Sequence, residues 1–273
     1  MTDQRLLPAN GRVAAVSLKG KVAADHYVEG TPQSVTVPVV DLCTKPKGQR
    51  ERQLLLGASV TLLELADGWG FVQAADGYVG YVQETTLGDA THPTHFVATP
   101  ATHGYAEESF KSRDTISLPF GAKVVVTDER QKYFETPFGF VPKKHLRPLD
   151  QTFSDPATIA QMHYGVPYLW GGNSTRGIDC SGLVAAALTG CGIACLADSD
   201  MQQDVLGHDL AHNDTLQRGD LLFWEGHVGM MVDADTLIHA NAHHMATMYE
   251  PVERAILRIK AQGDGDVTAR KRL

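Results

Sequence analysis

Between about residue 35 and residue 149, apolar residues come in short runs that alternate with polar ones or are β-branched throughout. That period of two marks strands rather than helices. Ser34–Val40, Gln53–Gly57, Ser59–Glu64, Gly70–Val72 and Tyr78–Val82 read as strands, with Lys45-Pro46-Lys47-Gly48, Asp67-Gly68 and Asp76-Gly77 as the turns between them. Short strands closed by Asp-Gly turns indicate a small all-β barrel. A His/Pro/Thr-rich joint follows at residues 90–94, and the scheme then repeats. "LLLGASVTLLE" answers to "LPFGAKVVVTD", and "GYVGYVQETTL" to "FGFVPKKHL". A degenerate repeat of roughly 60 residues is what tandem modules give. The expected blocks are 35–90 and 91–149. Residues 1–34 are a modestly apolar arm laid on a neighbouring block, with room for one short helix.

The pattern changes after residue 150. Asp155 before Pro156 starts a short helix that ends near Gly165. Residues 180–191 form the clearest helix, ended by Gly190 and Gly192. From Asp220 the chain turns to strands at Leu221–Trp224, His227–Val232 and Thr236–Ala240. Residues 150–262 are therefore an α+β domain. The polar, basic segment 263–273 reads as a frayed tail.

Composition narrows the function classes. The 24 basic and 32 acidic residues give a net charge of −8, which argues against a general nucleic-acid binder and against docking on an anionic membrane. No apolar leader follows Met1 and no run approaches a membrane span. Four cysteines are too few for a disulfide scaffold, so the expected setting is the cytoplasm.

Cys180 opens the 180–191 helix within Gly177-Ile178-Asp179-Cys180-Ser181-Gly182. Unpaired backbone N–H groups and the positive end of the dipole favour a thiolate there, so the pKa is expected to fall. A base comes from the strands. Asp233-Ala234-Asp235 reads as a three-residue turn that pairs Val232 with Thr236. Alternation then puts His227, Gly229, Met231, Leu237, His239 and Asn241 on one face, with His227 and His239 as diagonal neighbours. One histidine can act on the thiol while the other, or equally Asn241, holds its ring. Cys191 and Cys195 read as core cysteines, because two thiols alone make no zinc site. His243 and His244 read as surface residues, and Asp264 and Asp266 lack a calcium-loop pattern. No metal and no cofactor is expected.

"YLWGGNSTRGIDCSGL", "RGDLLFW", "GHVGMMVD" and "LIHANA" together resemble the NlpC/P60 family of cysteine peptidases over residues 153–260. The two β-rich blocks look like the bacterial SH3 modules that precede such domains in γ-D-glutamyl-L-diamino acid endopeptidases. The resemblance implies a papain-like catalytic core after two small SH3-like barrels. It makes Cys180 the nucleophile, His227 the base and His239 the polar residue that orients it. N–H groups at the start of the cysteine helix would form the oxyanion hole. Tyr168 and Trp170 would line the cleft, with Asp179, Ser181 and Ser199 as further substrate contacts. Asp179 could equally be a helix cap. From the first module, Tyr78 (with Tyr81 second) and Glu51 would close the amine-binding end. The implied substrate is a free murein peptide with N-terminal L-Ala, cut at the γ-D-Glu–diamino acid bond during cell-wall recycling, with glycan-linked stems rejected. Two other functions remain open at this point. One is an amidase or acyltransferase on the same cysteine–histidine core, and the other is a non-catalytic binder of wall peptides.

Overall fold

In the computed structural model, which describes residues 3–273, the Asp-Gly turns take the backbone that their sequence demands. Asp67 and Gly68 both have positive φ, 51° and 76°. That type I′ geometry matches strand twist and closes a hairpin in which Ala66 faces Trp69. The described chain falls into two compact units, 3–97 with 101–149 and 98–100 with 150–273.

The first unit holds both β-rich blocks. The first block is a seven-stranded antiparallel sheet running 50–55, 39–43, 79–83, 69–74, 59–66, 31–35, 87–89. The second block is a five-stranded sheet and a three-stranded sheet. Each sheet is an open row of strands. The internal repeat shows in the backbone. Gly57 and Gly121 sit at matching places and are both left-handed, with φ of 73° and 81°. Each block also closes on a single tight turn and a three-residue strand, at 84–89 and 143–148.

The arm contains two single 3₁₀ turns, Gln4–Leu6 and Val16–Leu18, and no α-helix among its described residues. Pro8, Gly11 and Gly20 interrupt it too often for a helix to nucleate. Its order comes from packing. Val13–Ala15 pairs in parallel with His26–Val28, and Val13 joins Leu63 and Phe71 in one core. The Asn10 amide donates to Glu64 at 2.8 Å and to the Tyr81 hydroxyl at 3.0 Å, and the Arg12 guanidinium binds both oxygens of Glu64.

The blocks meet at one turn. Leu56 belongs to the core of the second block, with Val97, Leu118, Val141 and Leu146. Its carbonyl accepts the Lys123 N–H at 2.8 Å. A Cβ on Gly57 would lie 2.3 Å from the Lys123 carbonyl oxygen.

The second unit is built on a six-stranded sheet. Its strands are β1 (His208–Asp209), β2 (Leu221–Trp224), β3 (His227–Met231), β4 (Thr236–Asn241), β5 (Ala246–Pro251) and β6 (Ala269–Arg272). They run β1-β6-β2-β3-β4-β5, with each neighbouring pair antiparallel. The helices are α1 (Pro156–Met162), α2 (Cys180–Gly190), α3 (Ser199–Val205) and α4 (Val252–Gln262). This is the expected α+β class. The C-terminal segment, however, is not frayed. β6 pairs with β1 and β2, and Arg272 binds the buried Asp220 at 2.8 and 2.9 Å. A polar segment is ordered here by ladder hydrogen bonds and an ion pair, neither of which needs apolar residues.

The sheet's two faces separate the helices. Leu222, Trp224, Met231 and Leu237 pack with Val252, Ala255 and Ile259 of α4. Alternation leaves Val228, Met230, Ile238 and Ala240 to the other face, that of α2. α2 is buried around nearly its whole circumference.

Gly57→Ala is expected to lower stability by about 2 kcal/mol or more, combining a left-handed Cβ with the clash on Lys123. Gly68→Ala has the same handedness and nothing within 4 Å, so it should lose only about 1 kcal/mol. Urea unfolding midpoints compare the two.

Candidate active site

Cys180 is the first residue of α2. Asp179 is its N-cap: one carboxylate oxygen accepts the Gly182 N–H at 2.7 Å and the Ser181 hydroxyl at 3.2 Å, and the other accepts the Gly171 N–H at 2.7 Å. The double glycine thereby ties the preceding loop to the helix. Gly172 and Gly182 let two backbones touch, since a Cβ on Gly182 would lie 2.4 Å from the Gly172 carbonyl oxygen. Of its two expected roles, Asp179 is seen in that of the cap.

The sulfur rests where β3 begins. It lies 4.0 Å from the Gly226 carbonyl oxygen and the Val228 N–H faces it, so the backbone on both sides of His227 borders it. The N–H groups of Cys180 and Ser181 also face it. These donors favour a thiolate, as expected, but they do not prevail. Burial, with the Asp179 carboxylate second, pushes the thiol up to about 12. The expectation of a lowered pKa is therefore corrected. The helix terminus is in place, and the loss of water outweighs it.

The two histidines come from β3 and β4. Met230 pairs with Ile238 and Met231 with Leu237, and the Val232 N–H donates to the Thr236 carbonyl at 2.9 Å. This is the expected register. Asp233 fixes the turn by accepting the N–H groups of Asp235 and Thr236. His227 Nε2 then stands 2.9 Å from His239 Nδ1, with the ring centroids 5.1 Å apart. Asn241 is turned elsewhere. Its oxygen accepts the His244 N–H at 2.8 Å, and its amide donates to the His239 carbonyl.

Beyond His239 the chain of contacts continues through residues that the sequence reading did not single out. His239 Nε2 is 3.1 Å from Glu250 Oε2 on β5, and Arg258 of α4 grips Glu250 with Nε at 3.0 Å and Nη2 at 2.7 Å. The signal for Glu250 was alternation on β5, because its position shares a face with His239 once Leu237 is paired with Glu250. Despite burial, His239 and Arg258 hold the Glu250 carboxyl well below the usual carboxylate range. Burial lowers the His239 pKa, partly offset by Glu250. Burial, then His239 and Arg258, lower that of His227. Both imidazoles are accordingly neutral, and the His239–Glu250 contact is a hydrogen bond from an uncharged ring.

The other anticipated residues are placed as follows. Tyr168 is half-buried. Its N–H donates to Met245, and burial first and Cys180 second push its hydroxyl up to about 12, so it stays a donor. Trp170 is half exposed. Ser181 is buried, and its carbonyl accepts the Gln202 amide at 2.9 Å. Ser199 is buried in the first turn of α3, where Gln202, not Ser199, reaches the cysteine helix. In the first unit, the Tyr78 hydroxyl lies 3.4 Å from Glu51, while Tyr81 serves Asn10. Arg52 covers the Tyr78 ring at 5.5 Å and pairs with Asp76. His239, His244 and Glu250 each bring a potential ligand atom within 4.8 Å of the others. The Arg258 guanidinium already holds both Glu250 oxygens, a poor setting for a cation. His227 opens on a cleft of about 390 Å³ shared with Tyr168, Glu225, Asn241, Arg258 and Gln262. No helix among the described residues is long and apolar enough to cross a membrane.

Two stretches of the chain match families of known proteins. Residues 165–259 match the NlpC/P60 family, and residues 42–87 match the bacterial dipeptidyl-peptidase Sh3 domain. The chain carries an NlpC/P60 peptidase domain preceded by a bacterial SH3 domain. It is 27% identical over 216 residues to dipeptidyl-peptidase 6 of Lysinibacillus sphaericus, covering 69% of this chain and 79% of that one. It is 30% identical over 185 residues to the γ-D-glutamyl-L-lysine dipeptidyl-peptidase of Bacillus subtilis strain 168, covering 60% of each. An NlpC/P60 family protein from Bacillus cereus has the same fold, with a TM-score of 0.73 over 89% of this chain and 99% of the other, at 20% identity.

The buried neutral histidines make stability depend on pH in a definite direction. His163, His227 and His239 all have lowered pKa values in the folded NlpC/P60 domain, so unfolding lets them take up protons below about pH 6.5. The depressed Glu250 carboxyl adds stability that is present above its ordinary range and lost as pH falls through its folded value. Both effects have one sign. The urea midpoint is expected to fall from pH 7.5 to pH 5, with a shallower fall in His227→Gln and His239→Gln. A midpoint unchanged over that range contradicts the neutral assignment.

Proposed function

We propose that the chain is a cysteine endopeptidase that hydrolyses the γ-D-Glu–diamino acid bond of free murein peptides with N-terminal L-Ala, in cell-wall peptide recycling. The observation that carries this reading is the sulfur of Cys180 lying against both neighbours of His227, whose far nitrogen meets His239. The names of the Lysinibacillus and Bacillus relatives support the substrate class.

The burial of the site shapes the mechanism. A neutral thiol and a neutral imidazole are the resting pair, so His227 removes the proton as the sulfur attacks the carbonyl carbon. The imidazolium then protonates the departing amine of the diamino acid, leaving a thioester. Neutral His227 next takes a proton from water, which attacks the thioester and releases the new γ-carboxylate. Tyr168 keeps its hydroxyl proton and can donate to charge forming beside the sulfur. Murein peptide is the only partner this reading requires.

Cys180→Ala is expected to abolish cleavage of L-Ala-γ-D-Glu-meso-diaminopimelate and of L-Ala-γ-D-Glu-L-Lys with an unchanged melting curve, read by product mass. Full activity in that variant overturns the reading. Turnover of simple amides or esters with neither tripeptide cut moves the protein to the amidase or acyltransferase class. Thiol-independent binding of the peptides without any turnover makes it a wall-peptide binder.

A further inference from the structure

The direction of every proton in the chain from His227 to Arg258 follows from the chemistry at its far end. Arg258 gives Nε and Nη2 to the two oxygens of Glu250 and Nη1 to the Gln262 side-chain oxygen at 2.6 Å. A carboxylate so held only accepts hydrogen bonds. The group 3.1 Å from it, His239 Nε2, must therefore carry the hydrogen. A neutral imidazole has one N–H, so His239 Nδ1 is left as an acceptor. The group 2.9 Å from that nitrogen, His227 Nε2, must then be the donor. His227 Nδ1 is left bare, which is the form a general base requires.

We infer that Glu250, clamped by Arg258, is a positioning residue that sets the tautomer of His227 through His239, two hydrogen bonds away. The inference rests on the proposed role of His227 as base. Among the described residues no other hydrogen bond to either ring imposes that choice, and an imidazole pair joined by one hydrogen bond can run either way. With the chain reversed, His227 Nδ1 carries the hydrogen and the base is blocked. Glutamine at position 250 can accept or donate, so it removes the constraint while keeping the shape. Glu250 is 11% exposed and Arg258 17% exposed, so the pair stands at the margin of the buried site rather than within its apolar core.

The test uses the full chain and ¹⁵N-labelled imidazoles. In the unmodified protein, His227 and His239 should both show Nε2–H and bare Nδ1 by NMR. Glu250→Gln should give mixed tautomers at both rings and lower kcat roughly 100-fold or more, with KM little changed. Glu250→Asp keeps an acceptor-only group and should keep the original tautomers. Glu250→Gln/Arg258→Met removes the stranded guanidinium should Glu250→Gln alone fold poorly, and should still show mixed tautomers. In a His239→Ala background, Glu250→Gln should change the remaining activity less than twofold, since its route to His227 is gone. A protonated Nδ1 on His227 in the unmodified protein, unmixed tautomers in the glutamine variants, or an equal loss without His239 overturns the inference. Full activity of Cys180→Ala would sink the cysteine-peptidase reading alone, because the tautomers are read without substrate.

Discussion

One antiparallel register governs this site. Because side chains alternate along a strand, sliding β3 against β4 by a single residue would send His227 and His239 to opposite faces. The register is pinned at its closed end, where Asp233 accepts two backbone N–H groups and shapes the turn. It is reinforced by shape along the shared face. Gly229 sits there without a side chain, and a Cβ in its place would lie 2.9 Å from Leu237. The two rings then meet at the open end, where the sulfur of α2 reaches the first residues of β3.

The sheet also separates two electrostatic tasks. On the α2 face, strands and helix are apolar and the cysteine helix is buried nearly all round. A charge there lacks water, and even two N–H groups of the helix terminus and a third from β3 facing the sulfur leave the thiol uncharged at rest. On the α4 face, the proton chain leads away from the sulfur to an ion pair near solvent. Charge is thereby kept at the end of the chain that can best bear it, and the reacting end stays neutral until substrate is in place. Such a site forms its thiolate during attack, when the imidazolium is made beside it.

Much of this was legible in the sequence. The period-two runs and Asp-Gly turns gave the β-rich blocks. Asp155-Pro156 gave the start of α1, and Asp233-Ala234-Asp235 gave the hairpin and its register. These are local signals, in which a few adjacent residues fix the backbone. What was missed depends on distance or on competing terms. β6 has no apolar alternation, and its place in the sheet is specified by Asp220, far off in sequence. α4 ends in left-handed Gly263, a cap that lies at the start of the segment read as a polar tail. The cysteine's pKa was misjudged because a sequence shows the helix terminus and hides the depth of burial.

Glu250 shows the same limit most clearly. Its neighbours, Met248 and Tyr249 before and Pro251 after, form no motif around it. Its significance arises only when β5 is paired on β4, which brings it diagonal to His239, and when α4 swings Arg258 back over it. Each pairing is ordinary by itself. Together they convert an unremarkable acidic residue into the group next to His239 whose hydrogen-bonding capacity is fixed in kind, as an acceptor. The imidazoles between it and the sulfur can each be drawn two ways. The asymmetry that makes one of them a base must therefore enter from outside the cysteine–histidine–histidine set, and in this fold it enters at the carboxylate.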